Sequence, residues 1–303
     1  MRSVASIFVD CLLIVTKRKK RLADRAVFDH RVQNLLAQGE TPYELAYDKF
    51  SVDVQKAMLN GMEYYILRSD NKTNPNKIMY FHGGGFISQP IAQHWKMLNT
   101  IAGDTGAEIW VPVYPKIPYH TAAEVYPLLH KLYAMFANSV GDDGHMILMG
   151  DSAGGNMVLS MAEQLKKLPV RQPSELIMIS PYLDATLPSP DTEKIDPKDL
   201  MLGIYGTHRC GELWAGETAL DDPVISPLNG DINGLGFMTV FTGTHDIINP
   251  DTHRLLEKAQ LLRIPMDLIE VKKMQHVYPL LPIPEAKRAI RTIEAIVMGK
   301  PEE

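Results

Sequence analysis

The sequence predicts an α/β fold in which a mostly parallel central sheet is flanked by helices. Three observations carry that expectation. Short apolar runs of strand length alternate with stretches of helical periodicity, as in a chain that returns to one sheet through crossover helices. The chain has 303 residues, 45% of them hydrophobic, enough for one large domain with decorations or for two small ones. No internal repeat, low-complexity segment or Gly/Ser linker breaks the alternation.

Residues 1 to about 50 read as helical and precede the first strand. Their leading segment, VASIFVDCLLIVTKRKKR, sets an apolar stretch from Val4 to Val15 before the basic run Lys17–Arg21. That stretch is shorter than the ~20 apolar residues a spanning helix needs. A signal peptide would place its charges ahead of the apolar core and a small-residue cleavage site behind it; here the basic run comes after the core and no A-x-A follows. The expectation is an amphipathic helix packed on the body of the protein, with contact to a membrane surface as the lesser alternative.

The strands then follow in order. EYYILR (Glu63–Arg68) reads as an early strand, and KIMYF (Lys77–Phe81) and EIWVPV (Glu108–Val113) as buried ones. HMILM (His145–Met149), ELIMIS (Glu175–Ser180), FMTVFT (Phe237–Thr242) and MDLIEV (Met266–Val271) complete the set. Helical patterns lie between them at Gln93–Thr105, Ala123–Ala137, Asn156–Leu168, Asp251–Arg263 and Pro284–Val297. Residues 184–225 form a Pro-, Asp- and Gly-rich excursion. With residues 1–50 they are expected to make a helical cap over the carboxyl ends of the strands, where an open α/β sheet binds ligands. The expected division is a cap segment at 1–50 and a catalytic domain at 51–303 with the cap insertion at about 184–225.

A net charge of −5 speaks against nucleic acid as a partner. Two cysteines, Cys11 and Cys210, are too few for a disulfide framework and fit a reducing compartment, so a cytoplasmic location is expected. No His/Cys/Asp cluster has metal-ligand spacing, and no metal or cofactor is expected.

Gly150-Asp151-Ser152-Ala153-Gly154 is G-x-S-x-G between a strand and a helix. In that setting a sharp turn lifts the serine hydroxyl into a cleft, which makes Ser152 the candidate nucleophile. The backbone N–H of Ala153, at the helix start, faces an anion forming at a substrate carbonyl. YFHGGGF (Tyr80–Phe86) follows a buried strand, and its glycines can turn their N–H groups outward. Gly84 and Gly85 are expected to share the oxyanion hole with Ala153, while Gly83 shapes the turn and His82 braces it. No G-K-[ST] follows the glycines, so a phosphate loop is the weaker reading.

HGGGF joined to GDSAGG resembles the hormone-sensitive-lipase branch of the α/β-hydrolases, a group of bacterial carboxylesterases. YPKIPYHTAAEVYP (Tyr114–Pro127), ISPYLD (Ile179–Asp184) and DPVISPLNGDINGL (Asp222–Leu235) resemble it in kind, so the likeness runs from about Tyr64 to Val297. The resemblance implies the α/β-hydrolase fold and the chain order serine, acid, histidine. It points to Asp246 in GTHDIINPD and to His276 in KKMQHVYPL. Asp251 competes for the acid, but Asn249-Pro250-Asp251 reads as a helix start capped by Asn249. Of the 10 histidines, His94, His120, His130 and His253 are read as surface or packing residues, and His245 adjoins Asp246 too closely to face it. The family often has Gly-Phe after its histidine; Val277-Tyr278 stands here, which implies a reshaped pocket wall.

The expected activity is hydrolysis of short- to medium-chain acyl esters through an acyl-enzyme, with a small-molecule ester as the partner. Phe86, Trp95 and Tyr278 are expected near an uncharged acyl pocket. An amidase or deacetylase acting on a small acylated metabolite is the alternative within hydrolysis, and a non-catalytic small-molecule receptor is the rival from another class. The late strand and helix (Met266–Val297) offer an edge for a homodimer.

Overall fold

The computed structural model describes residues 2–299. Eight strands form one sheet: β1 Asp53–Leu59, β2 Met62–Arg68, β3 Lys77–Phe81, β4 Glu108–Val113, β5 Met146–Asp151, β6 Glu175–Ile179, β7 Phe237–Gly243 and β8 Met266–Val271. They stand in the order β1-β2-β4-β3-β5-β6-β7-β8. β1 and β2 pair antiparallel, as do β2 and β4, and every later pair is parallel.

β1 is an addition to the strands read from sequence. It reaches β2 through Asn60-Gly61, both at positive φ (48° and 86°), which joins Leu59 opposite Met62 in a two-residue hairpin. The central strands are apolar runs because both faces are covered: all six residues of β5 and four of the five in β3 and β6 are buried. The outer strands β1 and β8 alternate in burial, as edges do.

The helices are α1 Val4–Val15, α2 Lys20–Ala23, α3 Arg25–Gln38, α4 Ala92–Thr105, α5 Ala122–Ser139, α6 Ala153–Leu165, α7 Pro190–Ile195, α8 Ile204–Ala215, α9 Asn249–Leu262 and α10 Pro284–Val297. The apolar core lies on both faces of the sheet. One face gathers α5 and α6 residues such as Tyr133, Phe136 and Met157; the other gathers Leu98, Ile101 and Ile293 from α4 and α10.

The N-terminal helices and the 184–225 excursion meet one another. Tyr205 of α8 donates its hydroxyl to Asp29 of α3 at 2.8 Å, and Lys19 pairs with Asp196 at 2.9 Å. Arg31 of α3 donates to the Ser88 hydroxyl at 2.8 Å, close behind the glycine run. α1 contributes differently, binding α10 through Ser3, whose N–H and hydroxyl both donate to Glu285 at 2.7 and 2.8 Å. Asn156 of α6 fastens both ends of the excursion by donating to the carbonyls of Tyr182 and Ile225 at 2.7 and 2.8 Å.

Candidate active site

The turn after β5 leaves no room for side chains. A Cβ on Gly154 would stand 1.9 Å from the Phe81 carbonyl oxygen, and one on Gly150 would stand 2.5 Å from the Gly154 carbonyl oxygen. The contact brings the start of α6 against the end of β3, so the glycine run 83–85 starts beside Ser152. Ser152 adopts φ 54° and ψ −118°, a conformation sparsely populated by non-glycine residues. Surrounding backbone holds it there: its N–H donates to the Ile179 carbonyl at 2.8 Å, and its carbonyl accepts from Asn156 and Tyr182, each at 3.1 Å.

Three side chains separated in sequence meet at this turn. His276 Nε2 lies 2.9 Å from Ser152 Oγ, and His276 Nδ1 lies 2.8 Å from Asp246 Oδ2. Asp246 is fully buried, and its other oxygen accepts from the Ile248 N–H at 3.2 Å. Burial works against a charged His276. The charge and hydrogen bond of Asp246, with Asp199 and Asp151 further off, outweigh it and raise the imidazole pKa above its ordinary 6.5. Asp251 takes another part: it pairs with Arg254 at 2.8 Å. Helix α9 begins at Asn249 with Ile248 as its cap, so Asn249 sits one place inside the helix and its amide donates to Thr242 and Glu270.

Asp151, next to the serine, fastens the glycine loop. Its Oδ1 accepts from the Gly83 N–H at 2.8 Å and from the Tyr80 hydroxyl, and its Oδ2 lies 3.3 Å from His94 Nε2. His94 is therefore a packing histidine, as expected, and a bracing one. Burial alone would raise the Asp151 pKa, but His94, Tyr80 and the Gly83 N–H bring it below the usual carboxylate value. Gly84 and Gly85 both have positive φ, 117° and 63°, and among the described residues the N–H groups of Gly84, Gly85 and Ala153 donate to no other protein group. His82 is fully buried; its Nδ1 is 2.7 Å from the Gly83 carbonyl and its ring stacks on Tyr114. Burial, then Lys116 and His94, hold it well below pKa 6.5, so it stays neutral.

The aromatic residues divide. The ring of Phe86 stacks on Trp214 of α8, with centroids 4.4 Å apart and planes 2° apart, joining the 184–225 excursion to the glycine loop. Tyr278 is buried beside the His276 loop. Trp95 stacks with Tyr43 and meets Phe50 and Tyr65, so it packs the segment before β1 rather than a pocket wall. Surface concavities of about 250 and 410 Å³ lie elsewhere, one at the amino ends of β6–β8 and one at the start of α10. Ser152 itself is nearly buried, 9% exposed.

Three residues beside the site had no sequence signal. Asp199 is fully buried and accepts from the N–H groups of Met201, Leu202 and Ile247 at 2.7, 2.8 and 3.0 Å, which ties the 184–225 excursion to the Asp246 loop. Burial first, and then the charge of Asp246, push its pKa above the usual carboxylate range. Gln275 accepts from the Leu200 N–H at 2.9 Å, and Ser180 Oγ accepts from the Val277 N–H at 3.0 Å.

Comparison with known proteins agrees with this architecture. A family described by the alpha/beta hydrolase fold matches residues 78–280. A triacylglycerol lipase of Mycobacterium tuberculosis is 30% identical over 211 residues, which are 69% of this chain and 43% of the lipase. The chain thus spans less than half the length of that relative. An esterase of Acinetobacter venetianus is 28% identical over 71% of this chain and 72% of its own length. The crystal structure of a hormone-sensitive lipase from a metagenome library superposes with a TM-score of 0.84 at 22% identity, covering 99% of both chains.

Proposed function

Because this chain belongs to the α/β-hydrolase family, in its hormone-sensitive-lipase-like form, we propose that it is a serine carboxylesterase acting on short- to medium-chain acyl esters. The observation that carries the reading is the imidazole of His276, bonded to Ser152 Oγ on one side and to Asp246 on the other.

A serine hydroxyl is a weak nucleophile at neutral pH, and His276 takes its proton as Oγ attacks the ester carbonyl carbon. Asp246 keeps the Nδ1–H tautomer in place and stabilises the imidazolium that forms. The tetrahedral oxyanion is received by the free N–H groups of Gly84, Gly85 and Ala153, with α6 adding the positive end of its dipole. His276 then gives the proton to the departing alkoxide oxygen, which leaves an acyl group on Ser152. Water repeats the sequence: His276 removes one of its protons as the oxygen adds to the acyl carbon, and His276 then returns that proton to Ser152 Oγ as the carboxylic acid is expelled, to ionise in solvent. The near burial of Ser152, with the buried Phe86 and Tyr278 on neighbouring loops, supports small acyl groups, and the names of the esterase and lipase relatives support esters as the substrate class.

The test is turnover of p-nitrophenyl esters from acetate to decanoate by wild type and Ser152→Ala. Loss of turnover in the variant, with the wild-type rate highest on the shorter acyl groups, is expected. Equal rates for the two proteins would remove Ser152 from the chemistry, and a wild-type preference for decanoate would remove the chain-length assignment. An organophosphonate should label Ser152 alone, as located by mass spectrometry.

A further inference from the structure

Helix α1 reverses the usual arrangement of a surface helix. Ser6, Val9 and Leu13 are its buried residues. Its outward residues are apolar: Val4, Ile7, Phe8, Leu12, Ile14 and Val15 are all more than half exposed, between 52% and 84%. At 3.6 residues per turn they sweep an arc of about 160°. Thirteen large hydrophobic side chains are exposed among the described residues, and these six lie within one 12-residue helix. Scattered apolar residues on a surface need no explanation, whereas a contiguous patch marks a contact.

The charge beside the patch says which contact. The chain carries a net −5, yet Lys17, Arg18, Lys19, Lys20 and Arg21 follow the helix without interruption. Lys19 pairs with Asp196 and Lys20 with Asp24, while Lys17, Arg18 and Arg21 have no carboxylate partner among the described residues. A second copy of this chain laid α1 against α1 would bring two such cationic runs to one apolar seam. An anionic headgroup layer instead satisfies both features, since it accepts an apolar face beneath it and attracts the cations. The helix is about 18 Å long, too short to cross a bilayer and suited to lying in its surface.

α1 is also tied to segments that carry the site. Its start is held by Glu285 at the head of α10, and the run behind it by Asp196, three residues before Asp199. We propose that α1 and the basic run at 17–21 form a docking element that seats the cap side of the protein on an anionic lipid bilayer.

The experiment is co-sedimentation of the full chain with phosphatidylcholine vesicles, with and without phosphatidylglycerol. Binding to the anionic vesicles that weakens as salt is raised is expected. Phe8→Asp with Leu12→Asp should reduce it about 10-fold or more, as should Lys17→Glu with Arg18→Glu and Arg21→Glu. Hydrolysis of dissolved p-nitrophenyl acetate by both variants should match wild type, which verifies that they fold. Wild type that ignores the anionic lipid, or a Phe8/Leu12 variant that binds as well as wild type, overturns the proposal. So does a concentration-dependent dimer that the Phe8/Leu12 variant abolishes while vesicles stay unbound, because a second copy then covers the face. The vesicle measurement needs no turnover, so it stands apart from the assignment of Ser152.

Discussion

Ser152 and His276 reach the same cleft from two loops built on opposite plans. The turn after β5 is fixed by the absence of side chains: Gly150 and Gly154 lie so close to neighbouring backbone that a methyl group on either meets a carbonyl oxygen. The loop after β8 has no glycine between Val271 and Tyr278, although Lys273 and Val277 both hold positive φ, 62° and 49°. Side chains from elsewhere brace it. Thr244 accepts from the Lys273 N–H at 2.8 Å, Ser180 accepts from the Val277 N–H, and Gln275 reaches across to the 184–225 excursion at Leu200. A turn made by deletion tolerates no addition, because the atoms it would strike are backbone. A braced loop tolerates changes of size and fails when an acceptor is removed.

The largest effect should come from adding a methyl to the first plan. Gly154→Ala puts a Cβ where the Phe81 carbonyl stands, and neither strand nor helix can withdraw without moving the sheet. A destabilisation of about 4 kcal/mol or more is expected, read from the urea unfolding midpoint; a change within about 1 kcal/mol would mean that the turn is looser than described. Next comes the acid that serves the second loop. Asp246→Asn should leave the fold intact and lower kcat/KM by ~10⁴-fold, because the imidazole loses both its tautomer and its counter-charge. The pH profile adds a sign. In the proposed mechanism the catalytic form is neutral His276, and Asp246 favours the cation, so activity should fall on acidification through a pKa above 6.5. In the Asn variant the residual activity should persist to lower pH. A limb that does not move would give the shift to another carboxylate.

The two plans also differ in how far they could be read from sequence. The first turn was legible because its chemistry is local: glycine, serine and glycine between a strand and a helix specify both the shape and the exposed hydroxyl. The ends of β3 and β8 were legible as well, since apolar runs with clear stops mark them. Asp199 was not, because its meaning depends on the N–H of Ile247, 48 residues further on, and it sits among several aspartates in an irregular segment. Ser180 likewise reads as a strand end and acquires a role only when Val277 arrives opposite it. β1 is an instructive omission: Asn60-Gly61 is a strong hairpin signal, but the strand before it is polar enough on its outward face to pass for loop. Trp95 was misplaced for the opposite reason, since an aromatic residue near a glycine loop reads as pocket until Tyr43 is seen stacked on it.

Removing a brace from the second loop should have a moderate effect. Ser180→Ala deletes the acceptor of a buried N–H with no replacement nearby, so a loss of about 1–3 kcal/mol is expected. His276 is the neighbour of the freed residue, so kcat should fall while KM for a small ester changes little. An unchanged kcat would show that Val277 does not position the imidazole.

The smallest prediction is a near balance of opposing effects. Val277 is β-branched and sits in the left-handed region, where an L-residue costs roughly 1–2 kcal/mol relative to the right-handed one. Val277→Gly relieves that cost, while the greater freedom of glycine in the unfolded chain takes back about 0.5–1 kcal/mol. The valine side chain is also buried, and its lost packing, about 1.5 kcal/mol at the least, takes back the remainder and slightly more. The net change should lie within about 1 kcal/mol of wild type, far less than removing any core valine in ordinary backbone conformation. Combined with Ser180→Ala, the glycine should cost less than the sum of the two single changes, because a residue at ease in this conformation depends less on its brace. A double variant clearly weaker than the sum of the two would mean that the valine side chain, and not the hydrogen bond to Ser180, holds the histidine loop in place.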